Sequence, residues 1–187
     1  MRIVAGKYGS RHLKGPGRVG MRPTSDRLRE TLFDILGPAV EGSLFVDAYA
    51  GTAAVGIEAL SRGASRAIFI EIARGAVALI RANLRELGIE EAAEILQGDV
   101  VRVLGRLQAR AVQADFLFLD PPYDDESEYR RVLEFLGHAA PLAPYGLVII
   151  EHRTTFPLPE FVGKLESFRR VRQGDATLSF YRRMPGG

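Results

Sequence analysis

The chain has 187 residues, 47% hydrophobic and 26% charged, which suits one globular domain with one core, and no run approaches the ~18 apolar residues that cross a membrane. The absence of cysteine excludes disulfides, thiolate zinc sites and cysteine nucleophiles, and His12, His138 and His152 are scattered without metal-ligand spacing, so no protein metal site is expected. The net charge of +2 hides an uneven distribution: residues 1–30 set Arg2, Lys7, Arg11, Lys14, Arg18, Arg22, Arg27 and Arg29 against Asp26 and Glu30, a balance of +6, and leave −4 for the rest. A basic arm on a mildly acidic body is the pattern of a nucleic-acid contact surface, although the same charges also serve to solvate an exposed segment. The N-terminus lacks the apolar run of a signal peptide, so a cytoplasmic protein is expected.

In chain order, residues 2–5 and 11–14 are expected to pair as a short hairpin. The Gly- and Pro-rich stretch at 14–23 holds neither a helix nor a central strand. Residues 1–23 are therefore read as a basic arm and 24–187 as a single domain. Leu28, Leu32, Ile35 and Leu36 recur at helical spacing, with Thr24 or Ser25 as N-cap and Gly37-Pro38 as terminator. From residue 43 strands and helices alternate. Strands are expected at 44–46, 67–70, 93–96, 116–119 and 147–150, and helices at 53–62, 74–87, 100–109 and 128–138. Continuously apolar strands separated by helices indicate a parallel sheet of the α/β class. Residues 164–173 and 177–182, joined by Gly174-Asp175, read as a closing antiparallel hairpin.

The first strand runs into Asp47-Ala48-Tyr49-Ala50-Gly51-Thr52-Ala53-Ala54-Val55-Gly56. Small residues let the backbone approach a ligand, and the following helix presents its N-terminus. Glu71 ends the second strand and can accept both hydroxyls of a ribose. Nicotinamide dinucleotide folds share this layout. Asp47 at the mouth of the loop separates the two cases, because a carboxylate repels a pyrophosphate and attracts the ammonium group of S-adenosylmethionine. Asp99, in Gln97-Gly98-Asp99-Val100, can accept from an adenine amino group, with Ile72 and Val100 sandwiching the ring, or can simply cap the next helix. The candidate cofactor residues are thus Asp47, Tyr49, Ala50, Gly51, Thr52, Glu71, Ile72, Asp99 and Val100, joined by Thr24.

The fourth strand ends in Asp120-Pro121-Pro122-Tyr123, the most specific signal in the chain. The lone pair of a base amino group is delocalised into the ring and is a poor nucleophile. Asp120 and a nearby carbonyl, that of Pro121, can accept its two N–H bonds and aim the lone pair at a methyl group. The prolines stiffen the turn, and Tyr123 can stack on a base, worth roughly 1–3 kcal/mol. In-line positioning against a sulfonium can supply up to ~7–11 kcal/mol.

These residues resemble the class I S-adenosylmethionine-dependent methyltransferases with an (Asp/Asn)-Pro-Pro-Tyr motif, and more narrowly the RsmD-type enzymes that methylate guanine N2 in small-subunit ribosomal RNA. The likeness rests on Arg2-Ile3-Val4-Ala5-Gly6, on Arg22-Pro23-Thr24-Ser25-Asp26-Arg27-Leu28-Arg29-Glu30-Thr31-Leu32-Phe33, on the cofactor loop through Ala64, on Phe118 to Tyr123, and on Glu151-His152. It implies a Rossmann-like α/β fold with a seven-stranded, mostly parallel sheet, an antiparallel last strand, helices on both faces and an N-terminal hairpin extension. It implies cofactor contacts from Asp47, Gly51, Glu71 and Asp99, and catalysis around Asp120, Pro121, Pro122 and Tyr123. The family commonly has Phe at Tyr49 and Gly at Ala53. Residues 22–30 contact either the cofactor or the RNA. Arg2, Lys7, Arg11, Lys14, Arg18 and Arg22 are the candidate RNA ligands. The expected partner is ribosomal RNA, within the small subunit or its precursor, with the protein a monomer. Rival readings are a DNA adenine or protein glutamine methyltransferase, which usually carry Asn at Asp120, a non-catalytic RNA-binding assembly factor, and a small-molecule methyltransferase.

Overall fold

The computed structural model describes residues 1–15 and 25–184. They form two compact units, Met1–Asp99 and Val100–Gly187. The first unit begins with the arm, where one antiparallel bridge joins Arg2 to His12 and Ile3 N–H donates to the Arg11 carbonyl at 2.9 Å. The expected hairpin is thus a single bridge around a turn. Ile3 and Leu13 are both buried, so this segment packs down.

Helix α1, Asp26–Leu36, starts where the Ser25 hydroxyl accepts from Leu28 N–H at 3.1 Å, which settles the choice of cap, and ends at Gly37. Of its periodic side chains Leu28, Leu32 and Leu36 are buried and Ile35 is half-buried, with Phe33 also buried beside them. The βα alternation follows as β1 (Leu44–Ala48), α2 (Ala54–Ser61), β2 (Arg66–Glu71), α3 (Arg74–Leu87) and β3 (Ala93–Gln97). The three strands are parallel in the order β3-β2-β1. The crossover helix α2 lies so close to the strands that a side chain at Gly56 would collide with the Phe69 ring, so only glycine fits there.

The second unit runs α4 (Val100–Ala109), β4 (Ala114–Leu119), α5 (Glu126–Ala139), β5 (Leu142–Arg153), β6 (Phe161–Val162), β7 (Leu165–Gln173) and β8 (Ala176–Arg183). The strand order is β4-β5-β8-β7-β6. β4 and β5 are parallel, and the remaining pairings are antiparallel. The chain is therefore an α/β protein with parallel strands first and antiparallel strands at the C-terminus. Beyond the seven strands of the family pattern it has the two-residue β6, too short to leave a periodic trace. Asp125 caps α5 by accepting from Glu128 N–H at 3.1 Å, which starts that helix two residues ahead of its apolar pattern. No helix among the described residues is long and apolar enough to cross a membrane.

Candidate active site

In the first unit the carboxyl ends of the parallel strands carry the acids. Asp47 is the penultimate residue of β1, and only 2% of its surface is exposed. Its Oδ2 accepts from Gly56 N–H in the first turn of α2 at 2.8 Å. Burial pushes the carboxyl up to about 8, against the pull of the Gly56 amide and with a further push from Glu71. Glu71 ends β2 and braces the loop: Oε2 accepts from Gly51 N–H at 2.9 Å and Oε1 from Ala73 N–H at 2.8 Å. Each oxygen keeps a second lone pair.

The loop between Asp47 and Gly56 is sharply folded. Tyr49 (φ 64°), Gly51 (φ 53°) and Ala53 (φ 65°) all adopt left-handed backbone, and two of the three are not glycine. Ala53 is the N-cap of α2 and is fully buried. Ala50 N–H donates to the Ile70 carbonyl at 3.0 Å, and the Thr52 carbonyl accepts from Asn83 at 3.3 Å. Ile72 stands 65% exposed next to Glu71, an apolar side chain left open beside the polar loop. Asp99 is half-buried just past β3. In the second unit Val100 is buried in the first turn of α4, with little side-chain area left to cover a ring.

The second unit positions the tetrapeptide. β4, apolar from Phe116 to Leu119, delivers Asp120, half-buried, directly after Leu119. Pro121 is buried and Pro122 exposed, and the Pro122 carbonyl accepts from Asp125 N–H at 3.0 Å, which closes the turn onto α5. The hydroxyl of Tyr129 on α5 sits 3.2 Å from the Pro121 carbonyl and 3.1 Å from the Glu151 carbonyl, with one hydrogen to donate between them. The carbonyl read as an acceptor for a substrate amino group therefore already faces one protein donor. Tyr123 donates its phenol to Glu151 Oε1 at 2.7 Å. Burial and the Glu151 charge drive the Tyr123 ionisation far above its usual range, so the phenol remains a donor. The Arg153 guanidinium lies 5.7 Å from the Tyr123 ring centre and pairs with Asp124 at 2.6 Å. His152 is buried, with Nδ1 2.9 Å from the carbonyls of Arg153 and Phe156 and Nε2 2.8 Å from Ser179 Oγ. Burial lowers its proton affinity, and its partners are structural.

Of the basic candidates, Arg2 pairs with Asp26 at 3.6 Å and Lys14 with Glu86 at 3.1 Å, both at the surface. Lys7 and Arg11 lie 5.4 and 6.0 Å from the Tyr8 ring centre. Arg18, Arg22 and Thr24 lie outside the described residues. Sequence reasoning missed Tyr129, and it noted Glu151 only as part of the family likeness. It also missed Glu58, a fully buried acid on α2 that accepts from Val4 N–H at 2.7 Å and Ala5 N–H at 2.9 Å and so fastens the arm. The available signal was an acid within otherwise apolar surroundings.

The family described as conserved hypothetical protein 95 matches residues 1–182. YlbH of Bacillus subtilis is 32% identical over 183 residues, 98% of this chain and 99% of that one. Ribosomal RNA small subunit methyltransferase D of Escherichia coli strain K12 is 29% identical over 187 residues, 100% of this chain and 92% of that one. The solved structure of the Escherichia coli protein yhhF superposes with a TM-score of 0.83 at 29% identity, covering 98% of this chain and 97% of that one.

Proposed function

The chain belongs to the conserved hypothetical protein 95 family, the family of the RsmD-like ribosomal RNA methyltransferases, and from that premise we propose that it methylates the exocyclic N2 of a guanine in small-subunit ribosomal RNA. The observation that carries the reading is the rigid Asp120-Pro121-Pro122-Tyr123 turn at the end of β4, braced from behind by Tyr129 and Glu151. S-adenosylmethionine, when bound, supplies an activated methyl group on a sulfonium.

The residues of the first unit fit that molecule. Asp47 is a buried carboxyl held neutral by desolvation, and a ligand ammonium is the group that makes its ionised form favourable. Glu71 has lone pairs left for ribose hydroxyls, Gly51 and Ala50 keep the loop free of bulk, and Ile72 offers an open apolar face for a purine. Asp99 suits the adenine amino group.

In the second unit Asp120 accepts an N–H of the target amino group, and the second lone pair of the Pro121 carbonyl accepts the other. Two acceptors draw the nitrogen toward a tetrahedral shape with its lone pair directed outward. The Tyr123 ring, its hydroxyl occupied by Glu151, presents a face for the base. Asp120 takes the proton released from the nitrogen after transfer. The arm, through Arg2, Lys7, Arg11, Lys14, Arg18 and Arg22, meets phosphates. The protein works as a cytoplasmic monomer on the small subunit or its precursor.

The test is incubation with radiolabelled S-adenosylmethionine and, in separate reactions, small subunits lacking guanine-N2 methylation, naked ribosomal RNA, and duplex DNA. Labelled N2-methylguanine in a ribosomal sample is expected. Label in DNA adenine, or in no nucleic acid despite cofactor binding, overturns the assignment and favours the adenine, glutamine or small-molecule readings.

A further inference from the structure

The balance of −4 outside the basic arm conceals a second basic segment. Residues 164–183 carry Lys164, Arg169, Arg170, Arg172, Arg182 and Arg183 against Glu166 and Asp175, a net +4. Residues 31–163 are left with 11 cations against 19 anions, a net −8. The chain thus has an acidic middle and two separate cationic segments, one in each unit.

The C-terminal segment is shaped as well as charged. Along β7, residues Phe168, Arg169 and Arg170 are exposed in succession, and Arg172 follows. The register of β7 against β8 shifts between Ser167 and Arg169, which leaves Phe168 as the unpaired residue of a bulge. Bulges re-aim side chains out of the regular pleat. Phe168 is 42% exposed, a large apolar group that a purely solvating edge does not need. It stands edge-on to Phe180, at 6.3 Å, with the Arg182 guanidinium 5.2 Å from its centre. β6 pairs with β7 only at Leu165 and Glu166, so among the described residues no strand covers the outer edge from Phe168 onward.

Next to this edge is an open cleft of about 350 Å³ lined by Leu158, Glu160, Ser167, Phe168, Arg169 and Arg170. Arg170 is fixed there, donating to the Leu158 carbonyl at 2.8 Å. The Arg169 side chain makes no hydrogen bond or ion pair among the described residues. Glu160 lines the cleft, and Glu166 is taken up by Arg182 at 2.8 Å.

We propose that the outer edge of β7, with Phe168, Arg169, Arg170 and Arg172, is a second RNA-docking surface that binds a single-stranded or splayed ribosomal RNA segment. The arginines meet its phosphates and Phe168 stacks on a base. Cationic side chains interleaved with an exposed aromatic are the chemistry of single-strand binding, and the RNA phosphates complement the +4 segment and are repelled by the −8 middle. The choice of RNA rests on the function proposed above. The bland alternative is that charges on an edge strand merely block sheet-to-sheet association. Charge reversal separates the two, because a glutamate guards an edge as well as an arginine but repels a phosphate.

The experiment measures affinity of the full chain for naked small-subunit ribosomal RNA and for assembled small subunits across a KCl series. For R169E/R172E, a naked-RNA salt slope shallower by about 1–2 and a roughly tenfold loss of affinity are expected, with an unchanged melting temperature. R169K/R172K is expected to keep the slope, and Phe168→Ala to weaken binding at unchanged slope. Unchanged affinity and slope in the reversal variant overturns the surface, as does loss of binding to assembled subunits alone, which assigns the edge to a ribosomal protein. The two readings fail separately. A wild-type protein that binds RNA through these arginines yet transfers no methyl group keeps the surface and loses the enzyme, whereas normal transfer with an unmoved slope does the reverse.

Discussion

The phenol of Tyr123 donates a 2.7 Å hydrogen bond to Oε1 of Glu151, which ties the last residue of the Asp-Pro-Pro-Tyr turn to the neighbouring strand β5. Glu151 is itself buried, and its backbone carbonyl lies 3.1 Å from the Tyr129 hydroxyl that also reaches Pro121. The ring proposed to stack on the base is therefore set by an acid nearly thirty residues away in sequence. Tyr123→Phe keeps the ring and frees it to swing. Glu151→Gln keeps the shape and replaces the charged acceptor with a neutral one. Each is expected to lower kcat by roughly tenfold, the scale of one hydrogen bond to a charged group, with KM for RNA little changed. The double variant is expected to be no worse than the worse single, since both remove one interaction. Fully additive losses in kcat would mean that the two residues act independently.

Asp120 follows the apolar run Phe116–Leu119 and meets the solvent only in part. On the proposed mechanism Asp120→Ala removes one of two acceptors for the target amino group and the group that takes up its proton. Single-turnover transfer is expected to fall by roughly 10²–10⁴-fold. Cofactor affinity, measured calorimetrically, is expected to be unchanged, because the acids proposed to hold the cofactor, Asp47, Glu71 and Asp99, are all in the first unit. Asp120→Asn, which keeps an acceptor, is expected to retain part of the rate. Transfer at the wild-type rate by the alanine variant would remove Asp120 from the chemistry.

Much of this was legible in the sequence for a physical reason: a strand buried on both faces, such as Phe116 to Leu119, has to be continuously apolar, and Gly63 and Gly88 punctuate the helices between such runs. The carboxyl ends of those strands then placed Asp47, Glu71, Asp99 and Asp120. The supporting groups were not legible, because their partners lie far away in sequence. Glu58 looks like one polar residue in a helix, and only the fold brings Val4 and Ala5 to it. Tyr129 reads as one more member of the α5 core stripe with Val132 and Leu136, and its hydroxyl acquires meaning only beside Pro121. The strained backbone at Tyr49 and Ala53 was hidden too, since neither residue type advertises a left-handed conformation. The second basic segment was masked by arithmetic, its charge cancelled by the acidic middle.

Asp47 links pH to both stability and ligand binding. Its ordinary value is 3.8, and burial raises it to about 8 in the fold. Between those values the folded protein holds a proton that the unfolded chain has released, so the stabilisation present below pH ~4 is lost as pH rises toward about 8. Ligand-free protein is expected to melt at progressively lower temperature across that window, and Asp47→Asn, which still accepts from Gly56, is expected to flatten the trend. If cofactor binding brings its ammonium to this carboxyl, as proposed, it is expected to release a proton and to tighten with pH up to about 8. Calorimetry in buffers of different ionisation enthalpy measures that proton. Binding without proton release at pH 6.5, or an unaltered pH trend in the asparagine variant, would show that the ammonium goes elsewhere.

Glu58 provides the last test, of how the basic arm is held. All eight residues of α2 are buried, and Glu58 is its only charge. One carboxylate oxygen accepts from Val4 N–H at 2.7 Å, and the other accepts from Ala5 N–H and from Arg62 Nε, each at 2.9 Å. Three residues on, Ser61 continues the seam: its hydroxyl donates to the Ala5 carbonyl at 2.6 Å and its carbonyl accepts from Lys7 N–H at 2.7 Å. Gly6 passes so near that any side chain there would strike the Ser61 backbone. Glu58→Ala leaves two amides and a guanidinium without their acceptor, a loss of about 3–5 kcal/mol by the scale of broken buried ion pairs. The arm, and not the parallel strands, is expected to take that loss first, because β1 and β2 keep all their own ladder bonds. Amide exchange in residues 3–13 is therefore expected to accelerate well before β1 loses protection, and RNA affinity to fall with the arm's grip. Exchange that rises equally in the arm and in β1 would mean that Glu58 supports the whole first unit rather than the seam.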